Sequence, residues 1–336
     1  MHASDYQQIV RAAEQRPVVY TEKEVKMHVF GPKEVCRSQN FQEFRFEDHP
    51  SCQILFEEAK QFYEDGFCIV KGAVSPTDIL LARSYINSNY TRWLNMSKRQ
   101  DDWRIHFLLS LEDLSEPVEH APMLDLVINS NPLLARLEML MGSKPNGIFY
   151  NQVAYRTPLV NYSPSILNYT PGAEYHIDGQ ANASGTRFPD PWTVLVGIAL
   201  VDIENVNMGN FTVWPGTHVS RDWSQYPEEK KLKTLPDLGE PHRVQLKAGD
   251  AVLVHCLMPH RGGKNTVTSQ EAEAMGIDYA GLDHIPRGTR EFSLFRIRAS
   301  AIDYEDPARS PAVLSNPWHE HGTLLQFLRD RGYPLP

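Results

Sequence analysis

The chain has 336 residues, 41% of them hydrophobic, and its formal net charge at pH 7 is −9. This mildly acidic balance argues against nucleic acid or an anionic membrane as a partner, and no apolar run is long enough to cross a bilayer. Its four cysteines lack the spacing of a metal site or a disulfide scaffold, which favours a reduced, cytoplasmic protein.

The first part of the chain is predicted to be mostly helical. Residues 1–50 are polar with scattered aromatic side chains, which favours an N-terminal arm with some helix. Apolar residues at helical spacing predict a helix over 51–64, and a short strand follows it. A Ser-Pro pair fits the N-cap and first turn of a helix over about 75–93, and another helix is predicted over 121–141.

A series of strands is predicted after the helices. Segment 145–155 begins the series, and 193–201 is almost continuously apolar, as in a strand that is buried on both faces. Two further strands, 242–247 and 251–256, flank a Gly-Asp turn. The alternating segment 289–298 is the last strand of the predicted core.

Helices first and strands later predict a single α+β domain over residues 51–336 with a mainly β core. The strand series suits a double-stranded β-helix, or jelly roll, with N-terminal helices packed on one sheet. Residues 266–288 form a long insertion that is rich in acidic residues and glycine. Two interpretations of this insertion stay open: a lid over a nearby site, or a disordered surface excursion.

Three residues have the types and the spacing of an iron site. His176 and Asp178 lie two residues apart, so an extended strand directs both side chains to one face. His260 follows the apolar run 251–256. Two imidazoles and one carboxylate can cap one face of an octahedral metal, as in the facial triad of non-haem Fe(II) oxygenases. The opposite face then stays open for a cosubstrate and O2.

Two arginines on the last predicted strand indicate a site for an anion. Arg290, Leu294 and Arg296 share one face of segment 289–298. A guanidinium group in an otherwise apolar pocket needs an anion, and its fork pairs with a carboxylate in bidentate fashion. A dicarboxylate that chelates the iron supplies such an anion.

The order of these residues resembles that of the Fe(II)/2-oxoglutarate oxygenases, and within them that of the phytanoyl-CoA dioxygenase-like group. Segments 62–75, 209–218 and 249–265 are similar to the helix-to-strand entry, the Pro-Gly-Ser-His turn and the distal-histidine block of that group. The resemblance implies Fe(II), 2-oxoglutarate and O2 as cofactors. It also implies Arg290 as the anchor of the cosubstrate, with Arg296 as a second candidate. The chain departs from the group in the insertion that precedes these arginines.

Two other histidines lie in the segments that carry the resemblance. His255 lies within the predicted strand and His260 at its end, and the His-x-Gly-Gly-x-Asn context, which resembles the distal block, favours His260 as the ligand. His255 is interpreted as a packed residue behind the ligands. His218 follows the Pro-Gly turn and is interpreted as a structural residue that hydrogen-bonds to the turn backbone.

Further residues are candidates for contacts with cosubstrate or substrate, and each has an alternative as an ordinary sheet, core or surface residue. Contact with the cosubstrate is predicted for Gln152 and Asn168. Pocket or substrate contact is predicted for Tyr155, Gln180, Trp214 and Thr212. Arg156 and Lys264 are candidates for an anionic substrate group, although a solvated surface position is the default for both.

These observations predict an oxygenase that oxidises an unactivated C–H bond of a small molecule and releases succinate and CO2. Hydroxylation, ring closure and desaturation in natural-product biosynthesis all fit this chemistry. The family name implies an acyl-CoA hydroxylase of the phytanoyl-CoA type as an alternative. Two rivals are a cupin-type dioxygenase without a cosubstrate, which the arginines oppose, and a non-catalytic jelly-roll binding protein, which the complete triad opposes.

Overall fold

The computed structural model describes residues 52–96, 104–109, 126–127, 130–160, 175–179, 188–232, 234–276, 285 and 287–335. None of the helices in these ranges is both long enough and apolar enough to cross a membrane. The main helices are α1 (Cys52–Asp65), α2 (Pro76–Met96), α3 (Asn131–Met141), α4 (Thr217–Ser220), α5 (Tyr226–Leu232), α6 (Ser269–Met275), α7 (Arg309–Ser315) and α8 (Gly322–Asp330).

The strands of the described residues form antiparallel sheets and one short parallel pair. They are β1 (Phe67–Val70), β2 (Arg104–Leu109), β3 (Pro145–Arg156), β4 (Leu159–Val160), β5 (Val194–Ala199), β6 (Phe211–Val213), β7 (His242–Arg243), β8 (Ala251–His255), β9 (His260–Gly262), β10 (Thr266–Val267) and β11 (Arg290–Ala299). The six-stranded sheet has the order β1-β8-β5-β11-β3-β2, and the three-stranded sheet has the order β7-β6-β9. Strand β10 pairs in parallel with β4.

The six-stranded sheet lies between a layer of helices and the three-stranded sheet. On one face, Val196 of β5 and Ile297 of β11 share a core with residues of α1, α2, α3 and α8. On the other face, Leu195 and Phe292 share a second core with Phe211 of β6. Successive strand residues face opposite sides, so each central strand contributes to both cores. This explains why β5 is buried along its whole length.

Most predicted elements are confirmed with small shifts at their ends. The helices expected at 51–64 and about 75–93 are α1 and α2, and the strands expected at 145–155, 193–201 and 289–298 are β3, β5 and β11. The predicted mixture of helices and sheets is confirmed, with antiparallel pairing in both larger sheets. The proposed arm at 1–50 lies outside the described residues.

The helix expected over 121–141 is shorter than predicted, because α3 begins at Asn131. Ser130 has an extended backbone (φ −91°, ψ 94°), and its side chain accepts a hydrogen bond from the backbone N–H of Leu133. A serine in this geometry is an N-cap, which satisfies a free N–H group of the first helical turn. Leu126 and Val127 are helical as well, but they precede the cap and do not continue into α3.

The strand expected at 242–247 is also shorter, and it belongs to a different sheet from its successor. Only His242–Arg243 is a strand, and it pairs with β6 of the small sheet, whereas β8 lies in the large sheet. The Gly-Asp turn therefore leads the chain from one sheet to the other. Gly249 has φ +90°, and the Asp250 carboxylate accepts hydrogen bonds from the N–H groups of Gly72 and Lys247.

The insertion at 266–288 begins with regular structure. Strand β10 pairs with β4, and α6 follows directly. The side chain of Thr268 accepts from the Glu271 N–H, and the Glu271 side chain accepts from the Thr268 N–H, which makes a capping box at the start of α6. Gly276 ends the helix in the left-handed conformation. Residues 277–284 and 286 lie outside the described residues.

Candidate metal centre

Backbone pairing brings two of the predicted ligands together. The His176 N–H donates to the His260 carbonyl at 3.0 Å, and the His260 N–H donates to the His176 carbonyl at 2.8 Å. This isolated bridge lies beside β9, of which His260 is the first residue. Two positions that are far apart in the chain therefore hold their side chains next to each other.

One atom of each predicted ligand converges on a common point. The ligand atoms of His176, Asp178 and His260 all lie within 4.8 Å of one another. Asp178 Oδ1 is 3.5 Å from His176 Nε2 and 3.7 Å from His260 Nε2. The two imidazole rings are 4.4 Å apart between their centroids.

The His260 ring has one nitrogen available for a metal. Its Nδ1 lies 3.0 Å from the carbonyl oxygen of Met258, which can only accept, so Nδ1 carries the proton. Its Nε2 is buried and has no hydrogen-bond partner within the described residues. Burial, together with the neighbouring His176, lowers the pKa of His260 to about 4, so the ring is neutral at neutral pH.

Asp178 is held as a carboxylate although it is buried. Burial by itself raises the pKa of Asp178, but Arg296 and the two histidines outweigh this effect and hold the pKa well below its ordinary value. The Nε and Nη2 atoms of Arg296 each lie 2.9 Å from Asp178 Oδ2. The other oxygen, Oδ1, faces the histidines.

The donor set fits a transition metal. Imidazole nitrogens and a carboxylate oxygen suit iron, and the unpartnered Nε2 of His260 is a ready ligand atom. The side chains of Asp178 and His260 are 7% and 4% exposed, whereas that of His176 is 38% exposed. The centre is therefore enclosed on one side and accessible on the side of His176.

A row of aromatic rings leads from the centre to Arg290. The Phe211 ring stacks on the His260 ring with 5.4 Å between centroids, and Phe211 stacks on Phe292 at 5.8 Å. The guanidinium carbon of Arg290 lies 4.8 Å from the centroid of the Phe292 ring. Arg290 thus lies on the same inner surface as His260, at the far end of this row.

Arg290 and Arg156 form a buried, positively charged region. Arg290 Nε donates to the Gly209 carbonyl at 2.6 Å, and its Nη1 donates to the Ala154 carbonyl at 3.1 Å. Burial and the nearby charge of Arg156 lower the pKa of Arg290 well below its ordinary value. Arg156 is 3% exposed, which corrects the default expectation of a solvated side chain.

Arg296 lies beside the metal ligand Asp178, and Gln152 lies beside Arg296. Arg296 bonds to Asp178 as described above, and its Nη1 lies 3.2 Å from Gln152 Oε1. Both side chains are buried, at 2% and 8% exposure. The structure therefore places the second candidate anchor against a ligand carboxylate.

Tyr155 does not face the centre, in contrast to its predicted role in the pocket. It is completely buried in the core on the helix side of the large sheet, where its ring packs edge-to-face against Tyr90 at 5.6 Å. Its neighbours Ala154 and Arg156 point the other way, as strand alternation requires. Asn168 and Gln180 lie outside the described residues.

Trp214 and Thr212 also point away from the centre, which corrects their assignment to the pocket. Phe211 faces His260, so the next residue, Thr212, faces the opposite side of β6, and its hydroxyl donates to the Asn210 carbonyl at 3.2 Å. The Trp214 ring packs on Tyr175 at 5.4 Å. Tyr175 directly precedes the ligand His176 and lies on the other face of that segment.

His218 and His255, which are not ligands, belong to a separate buried group together with His321. In this histidine cluster the ring centroids of His218 and His255 lie 5.2 Å apart, and those of His255 and His321 lie 4.9 Å apart. Trp318 packs against all three rings. His255 Nε2 donates to the Pro317 carbonyl, and its Nδ1 accepts from the Leu257 N–H. Both ring nitrogens of His255 are therefore occupied, which agrees with a packing role. His218 contributes ring packing to the cluster.

Two residues of this inner surface have roles that the sequence did not assign. Arg156 was a candidate for an anionic substrate group but lies beside Arg290, and the two-residue alternation of β3 could have indicated that it shares its side-chain direction with Gln152. Phe211 lies in the segment 209–218, but nothing in that segment by itself shows which of its aromatic residues faces the metal ligands. The pairing of β6 with β9 decides it.

The chain is similar to a known protein family. A model of the phytanoyl-CoA dioxygenase family matches residues 62–271, which is more than half of the chain. No curated protein matches the sequence.

The chain is also similar to several solved structures. SnoK, a non-haem α-ketoglutarate-dependent carbocyclase from nogalamycin biosynthesis, is 16% identical over 76% of this chain and 86% of its own, with a TM-score of 0.44. HygX from Streptomyces hygroscopicus, with nickel and 2-oxoglutarate bound, is 15% identical over 72% and 86% of the two chains, with a TM-score of 0.43. AviO1 from Streptomyces viridochromogenes Tue57 is 16% identical over 75% and 95%, with a TM-score of 0.44. On the family match, the chain belongs to the phytanoyl-CoA dioxygenase family and is a non-haem Fe(II)/2-oxoglutarate-dependent dioxygenase.

Proposed function

We propose that this dioxygenase oxidises an unactivated C–H bond of a small molecule at a centre made by His176, Asp178 and His260. The observation that carries the proposal is the convergence of two imidazole nitrogens and one carboxylate oxygen within 4.8 Å. Iron held there would supply the oxidising chemistry: one oxygen atom of O2 would end in succinate, formed with CO2, and the other in a hydroxylated product or, in ring closure and desaturation, in water. Hydroxylation, ring closure and desaturation are all compatible with this centre.

The residues of the chain hold and orient what binds there. The proton on His260 Nδ1 directs the lone pair of Nε2 to the metal. Asp178 contributes an ionised oxygen, because Arg296 compensates its charge in a buried position. The aromatic row of Phe211 and Phe292 forms an apolar wall beside the ligands, which keeps water away from the reacting atoms.

Arg290 is the anchor of the distal carboxylate of 2-oxoglutarate in this proposal. Its guanidinium group is 2% exposed, lies on the same inner surface as His260, and has Arg156 opposite it in the strand register. Its Nε and Nη1 bond to backbone carbonyls, so these bonds fix the plane of the fork. The distal carboxylate compensates the buried charge of Arg290, which burial and the nearby charge of Arg156 disfavour.

The proposal includes a double-stranded β-helix over residues 51–336. The large and small sheets face each other across one core, and both supply residues around the metal ligands, which supports this architecture. The insertion at 266–288, which follows the β9 ligand strand, is proposed as a lid. A reducing, cytoplasmic location fits the buried free thiols of Cys68 and Cys256.

The experiment is an anaerobic reconstitution with Fe(II), followed by measurement of succinate after addition of O2, 2-oxoglutarate and a panel of small metabolites. We expect succinate that depends on both iron and 2-oxoglutarate and that disappears in His176→Ala and His260→Ala. His319→Ala is the matched control, because this histidine is exposed and lies outside the centre.

Three outcomes contradict the proposal in different ways. Substrate oxidation without 2-oxoglutarate indicates a dioxygenase that needs no cosubstrate. Failure to bind iron indicates a binding protein. Product from an acyl-CoA, with none from free small molecules, indicates the acyl-CoA alternative.

A further inference from the structure

The two oxygen atoms of the Asp178 carboxylate have different partners. Oδ1 faces Nε2 of His176 and Nε2 of His260, at 3.5 and 3.7 Å. Oδ2 accepts a hydrogen bond from Arg296 Nε at 2.9 Å and forms an ion pair with Arg296 Nη2, also at 2.9 Å. The carboxylate is thus placed between a metal-binding side and an arginine side.

The arginine is itself fixed. Arg296 lies on β11, between β5 and β3 of the large sheet, where its backbone is opposite Leu195 of β5. Its Nη1 donates to Gln152 Oε1 on β3 at 3.2 Å. The side chain is 2% exposed, so solvent does not compete for these bonds. Two strands of the same sheet therefore determine where the guanidinium plane lies.

We propose that Arg296 is a positioning residue, which holds the Asp178 carboxylate in the orientation that presents Oδ1 alone to the metal. The inference rests on the proposed function of His176, Asp178 and His260 as ligands. Two nitrogens of one rigid guanidinium group converge on the single oxygen Oδ2, which fixes where that oxygen lies and leaves Oδ1 turned to the histidines. Partners behind a ligand set its orientation and its affinity for the metal.

The position of Arg296 also has a chemical consequence. An oxygen that pairs with two nitrogens of one buried guanidinium group is not free to turn towards the cation, so Asp178 supplies one donor atom and not two. A single donor atom from each of three ligands leaves more metal positions open for a cosubstrate and O2. Arg296 therefore orients the Asp178 carboxylate in addition to compensating its charge.

Arg296→Lys separates these two effects. Lysine keeps the positive charge near Asp178, but its ammonium group cannot reproduce the planar two-point contact. If charge alone matters, Arg296→Lys binds metal like the parent protein. If orientation matters, binding weakens although the charge is retained.

Arg298→Lys is the matched control. Arg298 lies on the same strand, its Nε donates to the Pro191 carbonyl at 2.8 Å, and its guanidinium carbon lies 5.2 Å from the Tyr304 ring. This control measures the general cost of exchanging a partly buried arginine on β11. Gln152→Met is a second test variant, which removes the bond between Arg296 Nη1 and Gln152 Oε1 and leaves Arg296 itself unchanged.

The measurement is a calorimetric titration of the metal-free, full-length protein with Ni(II), with the melting temperature as a check on folding. We expect Arg296→Lys to weaken Ni(II) binding by about 10–100-fold, as found for other partners of metal ligands. Gln152→Met should weaken it in the same direction by less, and Arg298→Lys should remain within about threefold of the parent.

The outcomes separate this inference from the proposed function. Ni(II) binding as tight as that of the parent, or tighter, in both Arg296→Lys and Gln152→Met overturns the positioning role and leaves the ligand assignment intact. If Arg296→Lys does not fold, Gln152→Met decides alone. A parent protein whose Ni(II) binding is unaffected by His176→Ala contradicts the proposed metal centre itself.

Discussion

Arg156 and Arg290 lie directly opposite each other on β3 and β11, and both side chains are almost completely buried. Two like charges in such a position favour binding of an anion between or beside them. The backbone of Gly262 on β9 passes close to this pair, so that a Cβ atom at position 262 would overlap Nη2 of Arg156. The absence of a side chain at Gly262 therefore makes room for the guanidinium group.

Gly262→Ala is expected to push the Arg156 guanidinium out of its place and to weaken 2-oxoglutarate binding by about tenfold, or about 1.4 kcal/mol. Titration of the Ni(II)-loaded protein with 2-oxoglutarate measures this change, and Ni(II) affinity should stay the same. Gly322→Ala is the control, since a Cβ atom there meets no atom within 4 Å. Unchanged 2-oxoglutarate affinity in Gly262→Ala would contradict a role of Arg156 at the cosubstrate end.

Arg290→Ala is expected to raise the KM for 2-oxoglutarate strongly. Loss of one partner of a buried charged pair costs on the order of 2–5 kcal/mol of binding free energy, here that of 2-oxoglutarate. The affinity for Ni(II) should change little, because Arg290 lies away from the metal ligands. Steady-state kinetics with varied 2-oxoglutarate and a Ni(II) titration separate the two effects. If Arg296→Ala raises this KM more than Arg290→Ala while metal binding stays intact, Arg296 is the anchor instead.

The metal-free protein is expected to be folded, because backbone hydrogen bonds pair His176 with His260 without any help from a metal. Ni(II) at about 100 times its Kd should add about 2.7 kcal/mol to the free energy of unfolding, with no change in the far-ultraviolet circular dichroism. His176→Ala should lose this stabilisation. A metal-free protein without native secondary structure would show that the metal builds the site.

The histidine cluster is expected to make the protein sensitive to acid. Burial and His321 lower the pKa of His218 from 6.5 to about 3, and the pKa values of His255 and His321 are lowered as well. The unfolded chain therefore protonates these histidines more readily than the folded protein does. The free energy of unfolding is then highest above pH 6.5 and decreases as the pH falls towards the pKa values of the folded protein. At pH 5, His218 alone lowers the free energy of unfolding by about 2 kcal/mol relative to its value above pH 6.5.

Urea unfolding at pH 7 and pH 5 tests this acid sensitivity. His218→Gln should lose less stability between the two pH values than the parent does, whatever its stability at pH 7. His319→Gln, at an exposed position, should follow the parent. Equal losses in His218→Gln and in the parent would show that other groups dominate the acid response.

The insertion at 266–288 is expected to close over bound substrate. Shortening it between Gly276 and Gly288 leaves β10 and the capped helix α6 in place. Because a lid keeps water from the reacting atoms, the shortened enzyme should form more succinate per molecule of product at nearly unchanged iron affinity. Hydrogen exchange within the insertion should slow when iron, 2-oxoglutarate and substrate are all present. The lid is excluded if the shortened enzyme forms no more succinate per molecule of product than the parent does, and if hydrogen exchange in the insertion is the same with and without bound substrate.

Several features of this protein follow from the sequence by itself. The spacing of apolar residues predicted α1, α2, β3, β5 and β11, because helical and strand periodicities are local properties of the chain. The two-residue spacing of His176 and Asp178 placed both on one face for the same reason. The resemblance of the His-x-Gly-Gly-x-Asn segment to the distal block of the family made His260 the third candidate, and the structure brings these three together.

Other features depend on contacts between segments that are distant in the chain. The sequence could not show that Arg296 bonds to Asp178, that Arg156 is buried opposite Arg290, or that Trp214 faces away from the centre. Each depends on which strands pair and in which register, and a change of one residue in the register reverses every side-chain direction. Local spacing therefore determined which residues can act as ligands, whereas the pairing of the two sheets decided which partners surround them.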